Sequence, residues 1–292
     1  MEREQDRWKR LYAGVCTTGG GHPTLRHTHP DSLIVGVFLW AALNERPVYW
    51  ACQKSHWPAA IRPRVLPSQA CMSRRLRSCP VLALLERAYA ALREALPAGM
   101  LKFIDAKPLP VGGCSKDRDA LYGRAAGGKA KGYKFYAVVD AQSGVVEAWR
   151  LGPMSYAEQN AATHLLPHLP AQCLTVGDKV YDSMRLYDQA QALDQFFLAR
   201  FPVKATGKAH QRQSPARLEA LVIAHTSAGA ALIEARNTIE RTFAHFTSTS
   251  GGLLGLPSWV RTPHRVAVWV AAKLLIDLDR RHQLFLRKEL AA

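Results

Sequence analysis

Acidic residues are scarce in this chain: 23 Asp plus Glu face 39 Lys plus Arg, for a formal charge of +16 over 292 residues. An excess of that size argues against a basic partner and favours a polyanion, nucleic acid first. The imbalance is clustered, because the stretch from Arg46 to Arg77 holds seven Lys or Arg and no acid. A disulfide framework is missing as well. Cys16, Cys52, Cys71, Cys79, Cys114 and Cys173 are dispersed without a CxxC pair, which excludes a dithiol redox motif and fits free thiols in a reducing cytosol. Long apolar runs are absent: LIVGVFLWAAL from Leu33 and VAVWVAAKLLI from Val266 are too short or interrupted to span a bilayer and read as buried helices. The opening MEREQDRWKR is not a charged-then-apolar signal, so a cytoplasmic protein is expected. GGKAKG lacks the GxxxxGK[ST] spacing of a phosphate-binding loop, so no nucleotide cofactor is implied. Cys16, His22, His27 and His29 fit no standard zinc-finger spacing.

What is present is an ordinary globular composition, 48% hydrophobic and 21% charged, in a chain long enough for one large or two modest domains. The first third reads as helical. DSLIVGVFLWAALNE makes a helix capped by Asp31 or Ser32, and Ser68 caps a short helix carrying Arg74, Arg75 and Arg77. Pro80 opens another, with Leu82, Leu85, Ala88, Tyr89 and Leu92 at helical period. Pro97 and Gly99 mark a boundary, dividing a helical domain, 1–97, from a second domain, 98–292. Strand patterns follow at LKFIDAK, YKFYAVVD, VVEAWRLG, CLTVGD and FFLAR, with helices at 155–168 and 183–193, and a last amphipathic helix runs from His264 to about Arg287. The order βββαβαβ followed by helices predicts an α/β fold, a mixed sheet with helices packed on it. Trp259 and Trp269 sit in apolar helical context and read as core.

Three acids stand out against the basic background. Asp105 and Asp178 each end a β-like run, and Glu240 lies on a helix, so a sheet and a neighbouring helix could gather them around a hard cation such as Mg²⁺. Asp182, four residues past Asp178, is the alternative second acid, although a helix cap is reason enough for it.

The segments FIDAKPLP, KGYKFYAVVD, GDKVYDS and RNTIERTF, in this order and approximate spacing, resemble bacterial insertion-sequence transposases of the DDE class from about Lys102 to the C-terminal helix. The resemblance implies a ribonuclease H-like catalytic domain preceded by a small helix-turn-helix-like domain. Asp105, Asp178 and Glu240 would then be the catalytic carboxylates holding two Mg²⁺ ions, with Mn²⁺ as a substitute. Such a pair, roughly 4 Å apart, clamps the attacking and leaving oxygens of a phosphodiester. Lys131 and Lys134 would lie near the active face, and Arg236 and Arg241 flank Glu240. Arg74, Arg75 and Arg77 would read the element's ends. The expected partners are double-stranded DNA, as terminal inverted repeats and target, and a second copy of the chain on that DNA, in a bacterial nucleoid-associated setting. One related subgroup carries a helper Tyr and Lys around its glutamate. Here those positions are Ile233 and Thr247, so neither is carried over. Two other outcomes stay open: a transposase-derived DNA-binding protein without catalysis, and a metal-dependent nuclease that cuts without joining.

Overall fold

In a computed structural model the chain is described for residues 4–19, 28–125, 127–201, 213–248, 253 and 255–290. It forms two compact units, Met1–Leu96 with Phe246–Ala292, and Pro97–His245. The sequence division ran the second domain on to residue 292, whereas here the C-terminal segment clusters with the N-terminal helices.

The first unit is all-helical among its described residues. It contains α1 (Glu4–Thr18), α2 (Asp31–Leu43), α3 (Val48–Ala51), α4 (Gln69–Arg75), α5 (Cys79–Glu94) and α11 (Pro263–Glu289). Helix α2 is apolar around its whole circumference and buried from Ile34 to Leu43, as expected of a central helix wrapped by others. Trp8 of α1 donates its indole N–H to the Gly36 carbonyl at 2.8 Å, and Trp40 stacks on Trp57 with centroids 5.1 Å apart. Helix α11 is fixed here by its charges as well as its apolar face. Arg10 grips the buried Asp279 at 3.1 and 2.7 Å, and Lys273 donates to the Ala42 carbonyl at 2.8 Å.

The second unit is built on a six-stranded mixed sheet of β1 (Leu101–Pro110), β2 (Leu121–Ala125), β3 (Gly128–Asp140), β4 (Val146–Pro153), β5 (Leu174–Gly177) and β6 (Phe196–Ala199). Strands run in the order β2-β3-β1-β5-β6, with β4 also on β3. The pairs β1/β3 and β3/β4 are antiparallel, and β1/β5 and β5/β6 are parallel. The path β4-β3-β1-β5-β6 is the ribonuclease H-like arrangement, to which the hairpin of β2 with the protruding start of β3 is an addition. Helices α6 (Glu158–Leu165) and α7 (Met184–Ala192) flank the sheet, and α8 (Pro215–Ala224), α9 (Ser227–Ala235) and α10 (Thr238–Ser248) follow it. Among the described residues no single helix is long and apolar enough to cross a membrane.

Candidate active site

Register places the first two acids. Phe103 pairs with Val176 where β1 and β5 run parallel, so continuing each strand by two residues brings Asp105 level with Asp178 on the same face. That point lies beyond the carboxyl end of β5, beside the strand at which connections diverge, where open α/β sheets bind ligands. Asp105 does not end its strand: β1 continues to Pro110, and Asp105 pairs with Ala137 inside the ladder. Asp178 directly follows β5 and caps the next single turn, accepting from the Val180 N–H at 2.8 Å. Gly177 permits that turn, since a Cβ there would sit 3.0 Å from the Tyr181 ring.

The surroundings of Asp105 are electrostatically unusual. Burial pushes its carboxyl up to about 6, aided by the charges of Glu158 and Asp178 and opposed by Arg236 and the Ala106 N–H. Arg236 donates to Oδ2 at 2.6 Å and the Ala106 N–H to Oδ1 at 2.8 Å. Tyr181 is fully buried beside the same three carboxylates. Burial first, then Glu158, Asp105 and Asp178, push its hydroxyl well above the usual range. Although Glu158 is near enough to polarise that hydroxyl, no hydrogen bond of good geometry satisfies it. Oxygen donors, a desolvated carboxyl and an orphaned hydroxyl suit a hard divalent cation. Among the described residues, however, no three His, Cys, Asp or Glu side chains gather closely enough to hold one in this arrangement.

Glu240 lies in the first turn of α10, exposed, and is not gathered with Asp105 and Asp178. Arg236 sits at the break between α9 and α10, so its guanidinium turns to Asp105 rather than along one helix to Glu240. Glu158, which the sequence reading missed, faces the site from the first turn of α6 and pairs with Lys134 at 3.0 Å. Asp182 is taken up elsewhere: Arg217 grips both its oxygens at 2.8 and 2.7 Å. It is not the cap of α7 either, whose N-cap is Ser183.

A groove of about 760 Å³ opens beside Ala106 and Glu158, walled by the β2–β3 hairpin with Arg124 and Lys129. Lys134 is buried in this wall on Glu158, and Lys131 donates to the Ser115 carbonyl at 2.7 Å. Arg241 is exposed on α10. In the helical unit, Arg74 and Arg77 are exposed, but Arg75 turns inward to Asp31 and the His29 carbonyl. Arg75 is therefore a structural ion pair here rather than a phosphate contact, because its sequence neighbours do not reveal the partner on α2. The basic residues Lys204, Lys208, His210 and Arg212 lie outside the described residues, as do His22 and His27.

The sequence signature of the transposase DDE domain family matches residues 99–271, more than half of the chain, and the protein belongs to that family. No curated protein matches it. Among solved structures it is similar to a piggyBac transposase in a synaptic complex with hairpin DNA, seen by cryo-EM. That likeness has 10% identity and a TM-score of 0.49, and it covers 100% of this chain and 80% of that one.

Proposed function

We propose that this protein is a DNA transposase that cuts DNA at the ends of a mobile element and joins the released 3′-hydroxyl to target DNA. One observation carries the reading. Asp105 in β1 stands level with Asp178, which directly follows β5, and Arg236, four residues before Glu240, is bonded to Asp105. The segment carrying the third family acid therefore already reaches the first.

Asp105 and Asp178 would hold the divalent metal, Mg²⁺ or Mn²⁺, with Glu240 as third carboxylate, and the bound ion would supply Lewis-acid activation of water or hydroxyl at neutral pH. The chain's own residues do the rest. Arg124 and Lys129 present cations along the groove beside Asp105, suited to holding the phosphates of a strand. The buried walls around Asp105 and Tyr181 keep bulk water from competing and strengthen every charge interaction inside. The proposed partners are the element's inverted repeats, target DNA and a second copy of the chain.

The test incubates the protein with Mg²⁺ and DNA carrying the sequences that flank its gene. Cleavage followed by joining is expected. Cleavage without joining makes it a nuclease, and binding without cleavage makes it a non-catalytic DNA-binding protein. Glu240→Gln should abolish cutting. If Glu158→Gln does so instead while Glu240→Gln cuts normally, the third acid is Glu158.

A further inference from the structure

The helical unit has a cavity of about 470 Å³ that the catalytic reading does not use. Its floor is apolar, formed by Phe38 and Trp269, whose rings meet edge to face at 6.4 Å. Its sides carry Tyr49 and Trp259, which are 50% and 38% exposed. Trp259 thus departs from the core role its sequence context suggested, whereas Trp269 keeps it. Arg46, Arg77 and Arg265 line the same cavity and are exposed, and no acid is among the residues lining it. The walls are tied together: His264 Nε2 donates to the Leu76 carbonyl at 2.8 Å, joining the start of α11 to the end of α4. Arg77 is braced by its Nε on the Ser73 carbonyl at 2.8 Å.

Exposed aromatic faces in a concave, purely cationic setting match one ligand chemistry well. A duplex offers phosphates to surface arginines, but its bases are stacked on one another and cannot enter an aromatic cavity. An unpaired nucleotide offers both a π-face for Trp259 or Tyr49 and flanking phosphates for the arginines. From this combination we infer that the cavity binds an unpaired nucleotide of a DNA strand, its base between the aromatic walls and its backbone on Arg46, Arg77 and Arg265. The inference rests on DNA being the partner, and it adds a distinct demand for a base outside the duplex.

The experiment compares the full-length chain's affinity for a blunt duplex and for the same duplex with a short single-stranded tail, using 2-aminopurine in the tail as a stacking probe. The tailed DNA should bind on the order of ten-fold tighter, with quenching of the probe on binding. Trp259→Ala should remove the preference and the quenching while leaving blunt-duplex affinity unchanged, and Trp259→Phe should keep most of both. Should Trp259→Ala lower the melting temperature, Tyr49→Ala takes its place. Arg265→Ala should weaken tailed-DNA binding and reduce its salt slope by about one. Equal affinity for tailed and blunt DNA overturns the inference but leaves the DNA reading standing, whereas no DNA binding at all overturns both. Self-association of the chain that Trp259→Ala abolishes, without any tail preference, also overturns it by giving the cavity to a second copy.

Discussion

Asp178 and Asp182 stand four residues apart, and their surroundings separate what each does. Asp182 shares a part-buried bidentate pair with Arg217, whose side chains are only 9% and 12% exposed. Asp182→Asn should therefore cost roughly 3 kcal/mol by leaving Arg217 without its counter-charge. Asp178 caps one turn, a role Asn fills nearly as well, so Asp178→Asn should change stability by a few tenths of a kcal/mol and abolish cutting. Chemical denaturation beside a cleavage assay reads both effects, and the opposite pattern would reassign the second acid. Lys273 gives a pH signature in the helical unit. Burial draws its ammonium from 10.5 down to about 8, against the pull of Glu45. Between those values the unfolded chain keeps a proton that the folded chain has lost, so this group's contribution to stability rises with pH across the window. Below it the penalty is on the order of 3 kcal/mol. Lys273→Met should flatten that rise in denaturation curves taken from pH 7 to 11.

At the scale of elements, the turn from β5 into Asp178 depends on Gly177. An added Cβ would press on the Tyr181 ring at 3.0 Å, and Gly177→Ala should lower stability by about 1–3 kcal/mol while displacing Asp178. Loss of cleavage larger than the stability change explains is the expected reading. The β2–β3 hairpin should act on DNA instead: Arg124→Ala and Lys129→Ala should each reduce the salt slope of binding by about one without altering the fold. The sequence made the sheet's core strands legible because LKFIDAK, YKFYAVVD and FFLAR are dense in β-formers, but LYGRA is short and broken by Gly123, so β2 was missed. Ser68 caps its helix as the sequence predicts, accepting from the Cys71 N–H at 3.2 Å. In α5 the buried stripe is Val81, Leu84, Leu85 and Ala88, which keeps the expected Leu85 and Ala88 but takes Val81 and Leu84 in place of the half-buried Leu82, Tyr89 and Leu92. An apolar-rich helix permits more than one stripe, and packing against α1, α2 and α11 chooses between them. Glu158 could not be told from an acid placed at a helix start for its dipole; only the crossing of α6 over the sheet brings it to Asp105.

Across the whole molecule, an excess of +16 charges should make DNA affinity fall steeply with salt, as counterions displaced from phosphates are no longer released to advantage. The pairing of long-range elements was the least legible feature. Nothing local in Pro263–Glu289 says that Asp279 will meet Arg10. Asp105, level with Asp178 and bonded to Arg236, is the centre of the proposed site. The most direct test is Mg²⁺-dependent cleavage of DNA bearing the element's flanks by wild-type protein and by Asp105→Asn, with folding of both checked by circular dichroism. Cutting by the wild type and none by a folded Asp105→Asn are expected. Full cleavage by Asp105→Asn would contradict a catalytic role for Asp105.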